Sequence, residues 1–402
     1  MKSKIAFFDP YSGGHHPEHL AYLIEEWTLN YQVVCSLEVI TTQANLRLHT
    51  KLMQWFNHPP EGLSFYLIAE LQATSLFKKN IEQGNLLTQY IRSKKPDHVF
   101  CLFFDHLQIA LVQNLKFNYP VTFSGIYFRA MWHYGQWHDI SWKDQIRAMR
   151  QKVLLHAALR NRHFSALFCF DPYIVPILQK NYKRSKQIVA LPEPFSEQVI
   201  EHTNTLKEWT EPGKRKRLLL TGVLDERKGV LALLKALALL DTPTLQQLSI
   251  VLAGKLDITI QNFVTKQISE LRLNGLEIIL QNGFIPYESL AAYVQASNVV
   301  LIPYQNHVGS SGLLIRAAKA TKPVISQHYG LMGQWVREHK LGLAINTCDP
   351  TSLANGIREA LAGRFSFSPA SNAFFAQQHS TKDFVNVIWK GIMTSISDHH
   401  IE

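Results

Sequence analysis

A chain of 402 residues is long enough for two or three domains, each with a core of its own. Its 46% apolar and 18% charged content exclude a disordered chain, and four scattered cysteines without a CxxC pair read as reduced, largely buried thiols. The 41 basic against 31 acidic residues leave a net charge of +10, which suits phosphorylated ligands, anionic membranes or nucleic acid without choosing among them.

From the N-terminus, residues 4–9 (KIAFFD) form a buried-type strand whose apolar run is too short for a signal peptide. A glycine-bearing loop spans 10–17, and 18–29 has helical spacing. Further strands are expected over 31–36, 63–68, 98–104, 122–127, 166–170 and 187–190, mostly as continuous apolar runs of the length a parallel sheet covered on both faces requires. A helix over 143–163 carries six Lys or Arg against one Asp, and its Ile146, Met149, Val153 and Ala157 share a face. That helix is either an ordinary solvated one or a contact with an anionic membrane surface or acceptor. The Pro-containing stretch 191–195 exits the first domain, and 196–216 reads as a linker.

The second half repeats the grammar. Strands are expected over 217–221, 249–253, 277–281, 299–302 and 324–326, with helices over 230–240, 258–271, 287–297 and 313–320. A break at 365–372, around Pro369, precedes a terminal helix over 374–396. The fold class is therefore α/β, with two Rossmann-like parallel-sheet domains, 1–195 and 217–370, facing across a cleft. Residues 371–402 are expected to pack back on the first domain. No window reaches the ~18 apolar residues of a membrane span, so the chain is expected in the cytoplasm or at the inner face of a membrane. Neither a zinc-finger spacing nor an aromatic-and-basic ladder points to nucleic acid.

Three loops carry the chemistry. Gly13 and Gly14, in DPYSGGHHPE after the first strand, let backbone approach a ligand, and Pro17 in the first helical turn puts His16 at the mouth of the site. Arg227, Lys228 and Gly229 follow the first strand of the second domain, where a cation can neutralise a diphosphate. Gly309, Ser310, Ser311 and Gly312 lead into a helix starting near Leu313, so free N–H groups and the dipole's positive end converge on one point, an anion site. Asp105 and His106, and Arg129 and His133, follow the strands 98–104 and 122–127 and are candidates for the acceptor side. No DxD-type carboxylate pair stands at a strand end to hold a metal.

With these motifs in order, the chain resembles the GT-B-fold glycosyltransferases, nearest to the family 4 retaining group. The resemblance spans nearly the full length and is strongest over 218–346, in LLLTGVLDERKGVLALLKAL, VLAGKLD, NGFIPYESLAAYVQASNVVLIPY and GSSGLLIRAAKATKPVIS. It implies a nucleotide-sugar donor, UDP- or GDP-linked, on the C-terminal side and an unknown hydroxyl acceptor on the N-terminal side. It also implies retention at the anomeric carbon; in that scheme His16 and His106, placed by their loops, are the catalytic candidates that orient acceptor or donor sugar, and no metal or other cofactor is required. The chain departs from the family at three positions. Arg316 stands where the resemblance places the second motif glutamate, His307 or Val308 where it places the first, and Val223 where it places the arginine that partners Lys228. The departures leave open an active subgroup that reads ribose differently or a non-catalytic fold-mate acting as a binding or scaffold protein; Arg316 is a donor-binding candidate that reaches a phosphate or else serves the helix surface.

Overall fold

The apolar runs are indeed buried parallel strands, gathered into two seven-stranded sheets. The computed structural model describes residues 2–72, 75–112, 121–128, 130–134, 142–182, 186–195, 215–285 and 287–399. They fall into two compact units, 1–194 with 381–402, and 195–380. Of the linker expected over 196–216, residues 196–214 lie outside the described residues.

In the first unit the strands are β1 (Ser3–Asp9), β2 (Cys35–Thr42), β3 (Leu63–Ile68), β4 (His98–Cys101), β5 (Thr122–Tyr127), β6 (Phe164–Cys169) and β7 (Gln187–Ala190). All are parallel, in the order β3-β2-β1-β4-β5-β6-β7. The helices that matter below are α1 (His16–Glu26), α2 (Leu76–Lys94) and α3 (Trp142–Leu159). The C-terminal helix Thr381–His399 closes one face of this sheet. Its Phe384, Ile388, Trp389 and Ile392 are buried with Phe7, Leu20 and Phe168, and Trp389 donates its indole N–H to the Leu23 carbonyl at 3.1 Å.

The second unit has β8 (Lys216–Thr221), β9 (Leu248–Gly254), β10 (Glu277–Asn282), β11 (Val299–Ile302), β12 (Val324–Gln327), β13 (Leu341–Ile345) and β14 (Ser366–Phe367). Their order is β10-β9-β8-β11-β12-β13-β14, parallel except for β14, which pairs antiparallel to β13. Its key helices are α4 (Val230–Leu237), α5 (Gly312–Lys319) and α6 (Gly330–Glu338). In both sheets the winding reverses once, between β1 and β4 and between β8 and β11. Connections on the two sides of such a reversal lie on opposite faces, so the loops at the carboxyl ends of those strands have room for a ligand.

Three expectations are corrected. No strand covers 31–36: α1 continues into a π-helical turn, Trp27–Tyr31, which buries Trp27, while Val33 and Val34 are exposed and β2 starts at Cys35. The strand expected over 98–104 ends at Cys101, and Asp105 and His106 sit on a 3-10 turn, Phe104–His106. The terminal helix is two helices, Pro369–Gln377 and Thr381–His399. Pro369 starts the first of them, behind a Ser368 cap that accepts from the Ser371 N–H at 3.3 Å.

One polar side chain inside the first sheet sets an acid limit on the fold. His98 on β4 is fully buried between Thr122 Oγ1 and Ser124 Oγ, each 2.7 Å from a ring nitrogen. Burial lowers its pKa from 6.5 to about 3. The unfolded chain therefore takes up a proton that the fold refuses. This part of the stability is complete above pH 6.5 and is lost below it, by about 1.4 kcal/mol per pH unit until about pH 3. Urea midpoints measured from pH 7 to 5 should fall for the wild type, and the gap to His98→Gln should narrow as pH drops. A gap that is constant with pH would refute the assignment.

Candidate functional site

In the first unit the loop after β1 and the turn after β4 meet. Asp9, the last residue of β1, is fully buried, and its carboxylate accepts from His16 Nδ1 at 2.7 Å and from Asn45 Nδ2 at 3.1 Å. The bond fixes the tautomer: with the proton on Nδ1, His16 presents the lone pair of Nε2. Gly13 and Gly14 both have positive φ (91° and 60°), and a side chain on either would meet open space. The loop thus leaves bare backbone at this point for a conformational reason, not a packing one.

Tyr11 ties this loop to its neighbours. Its hydroxyl lies within hydrogen-bonding distance of His106 Nδ1 and of the Gln83 side-chain amide on α2. Burial pushes the phenol up to about 12, with the Asp9 and Asp105 charges adding to it and the Gln83 bond opposing, so Tyr11 stays protonated at neutral pH. With the Gln83 amide donating to Tyr11, the phenolic proton goes to His106 Nδ1, which leaves the His106 proton on Nε2. The rings of Tyr11, His16 and His106 gather around Phe103, with centroids 5.6, 5.6 and 4.4 Å from it. His16 and His106, 90 residues apart in the chain, are thereby in one cluster.

The other first-unit candidates have different surroundings. Asp105 uses its carboxylate to accept the Phe128 N–H at 2.8 Å, joining the ends of β4 and β5. His133 Nε2 lies 3.2 Å from Asp171 Oδ2, a buried carboxylate just beyond β6 whose hydrogen bond comes from the Tyr134 hydroxyl at 2.6 Å. Arg129 lies outside the described residues.

In the second unit the loops after β8 and β11 meet in the same topological position. Lys228 reaches the Tyr304 hydroxyl, and its ammonium lies 3.7 Å from the centroid of that ring. Tyr304 OH is 3.2 Å from Ser311 Oγ. Ser311 stands at the N-cap of α5 without capping it by its side chain, which is held by Tyr304 instead. The first-turn N–H groups of α5, those of Gly312 and Leu313, thus have no side-chain cap from Ser311, and Gly309 and Ser310 lie in the adjoining loop. Gly229 has φ 81°, and a Cβ on it would run into the Pro303 carbonyl, so the turn that places Lys228 admits glycine alone.

Arg227 is half exposed, 3.8 Å from Asp225 Oδ2, and its carbonyl accepts from the Gln305 N–H at 2.8 Å, a second tie between the two loops. Arg316 is not at the start of α5 but in its last turn, where its guanidinium lies 5.1 Å from the Phe195 ring. His307 Nε2 is 3.0 Å from the Ser310 carbonyl, Val308 is buried, and Val223 is half exposed. Among the described residues no group of three or more His, Cys, Asp or Glu is arranged to hold a metal ion.

Several contributors escape a reading by sequence: Asp9, Tyr11, Asn45, Gln83 and Tyr304. An aspartate closing an otherwise apolar strand was the available signal for Asp9, and a tyrosine directly after the Pro303 that ends β11 was the one for Tyr304.

The fold is that of a protein with two Rossmann-like units of the GT-B kind. Residues 201–374 match the family described as glycosyl transferases group 1. Among solved structures the chain is similar to sucrose-phosphate synthase from Thermosynechococcus elongatus (17% identity, TM-score 0.64, 99% of this chain and 98% of that one). It is also similar to HepE from Anabaena in complex with UDP and glucose (14%, TM-score 0.61, 98% and 100%). A third is a UDP-forming α,α-trehalose-phosphate synthase from Burkholderia vietnamiensis (10%, TM-score 0.70, the full length of both chains). Comparison with curated proteins finds no match.

Proposed function

We propose that this protein is a glycosyltransferase that moves a sugar from a nucleoside diphosphate sugar, UDP- or GDP-linked, to an acceptor hydroxyl with retention at the anomeric carbon. The observation that carries the proposal is the linkage Lys228–Tyr304–Ser311, which brings a cation to the N-terminus of α5 at the β8/β11 reversal, where Ser311 makes no side-chain cap. The group 1 family match over the same residues supports it, as does similarity to a protein whose structure holds UDP and glucose.

Transfer requires that negative charge developing on the leaving diphosphate be met by groups already in place. Lys228, the neighbouring Arg227 and the N–H groups of Ser310 to Leu313 do this in the proposed scheme, and no step is assigned to a metal. In the first unit the Gly13–Gly14 backbone, His16 and His106 receive the sugar or acceptor hydroxyls, His16 accepting a hydrogen bond and His106 donating one.

Thermal unfolding with UDP, GDP, ADP and dTDP tests the donor. A nucleotide at 100 times its dissociation constant adds about 2.7 kcal/mol, so a binder raises the melting temperature visibly. A shift confined to UDP or GDP is the expected result. No shift with any of the four would overturn the proposal in favour of a non-catalytic fold-mate. The stereochemistry of the first product, read by proton NMR, then decides retention.

A further inference from the structure

Among the described residues, one apolar face of helix α3 is left uncovered. Only its C-terminal part packs inward, through Leu155, Ala158 and Leu159. Trp142, Ile146, Met149 and Val153 are 67%, 58%, 63% and 59% exposed, at spacings of four, three and four residues. At about 100° per residue they form a single stripe about 60° wide. Large apolar side chains scattered singly need no explanation, but four aligned on one helix mark a docking face.

The border of the stripe indicates what covers it. Lys143, Arg147 and Arg150 lie on one side, about 70–130° around the helix from the stripe's centre, and Lys152 lies on the other, about 90° from it. Lys143 Nζ lies 5.8 Å from the Trp142 ring centroid, and Lys152 Nζ lies 5.1 Å from that of Trp132. Arg147 is held by Asp144 at 2.9 Å, an exposed pair of small worth. Lysines are depleted where proteins meet proteins, whereas an apolar stripe with a tryptophan and long cations that can reach sideways suits a lipid headgroup layer. The chain's net charge of +10 has the matching sign. Among the described residues no helix is long and apolar enough to cross a membrane, so a contact through α3 would lie on the surface.

We propose that α3 docks the protein on an anionic phospholipid bilayer, its stripe entering the boundary between headgroups and acyl chains while Lys143, Arg150 and Lys152 meet lipid phosphates. This goes beyond the transfer reaction and does not depend on it. Co-sedimentation of the full-length chain with two kinds of vesicle tests it: phosphatidylcholine alone, and phosphatidylcholine with about 30% phosphatidylglycerol. Binding to the anionic vesicles, weakened by salt, is the expected result. Met149→Glu with Val153→Glu should lower that affinity at least tenfold. Lys143→Gln with Arg150→Gln should lower it about 25-fold, roughly fivefold for each cation. Both pairs alter exposed side chains, and unchanged melting temperatures would confirm folding. The proposal fails if anionic vesicles do not bind the protein, or if the stripe variant binds them as the wild type does. It also fails if the stripe variant instead breaks an oligomer on size exclusion, since a second copy would then cover α3.

Discussion

Lys228→Ala is expected to lower turnover about 100- to 1,000-fold, the usual cost of removing one preorganised group that meets developing negative charge. It should also weaken the melting shift produced by the preferred nucleotide. The side chain is half-buried and spans two loops, so its loss leaves the core untouched and the unliganded melting temperature nearly unchanged. Tyr304→Phe separates the contributions. It keeps the ring beneath the ammonium but removes the hydroxyl that joins Lys228 to Ser311. The loss there should be about fivefold, that of one modest hydrogen bond. Donor KM and kcat measured for both variants decide the matter, and wild-type turnover in Lys228→Ala would remove this lysine from the mechanism.

Most of the sheet was legible because buried parallel strands have a strong local signature: the expected strands 63–68, 122–127, 187–190 and 299–302 coincide with β3, β5, β7 and β11. The failures have local causes too. Tyr31, Val33 and Val34 have strand-forming side chains, yet burying Trp27 draws the chain on through a π-helical turn. β13 and β14 went unread because LGLAI and SF are too short, and the first too interrupted by glycine, to stand out. The glycine loops could be read, since two adjacent glycines after an apolar strand carry a backbone meaning by themselves. Their partners could not. Lys228 and Tyr304 are 76 residues apart, and Tyr11 and Gln83 are 72 apart; the first pair meets because the sheet order sets two loops side by side, the second because it sets the loop after β1 beside helix α2. Arg316 shows the converse: its position in the motif suggested a phosphate, but the last turn of α5 carries it to Phe195.

Asp9→Asn should be a severely damaging change in the first unit although it removes one charge and no volume. The buried carboxylate accepts from His16 Nδ1 and leaves Nε2 as an acceptor. An asparagine that turns its amide toward His16 donates to Nδ1, so the proton moves to Nε2 and the outward nitrogen becomes a donor. A hydroxyl that was to be oriented by donating to His16 then meets another donor. Turnover should fall about 100- to 10,000-fold, the range for losing an acid–base or tautomer-fixing group. Asn45 and Thr41 remain to hold the position, and circular dichroism should show an intact fold. His16→Ala should lose a similar factor, and the double variant no more than either alone, because both changes disable one unit. Multiplying losses in the double variant would mean that Asp9 and His16 act separately, and full activity in Asp9→Asn would mean that His16 Nε2 is not used as an acceptor at all.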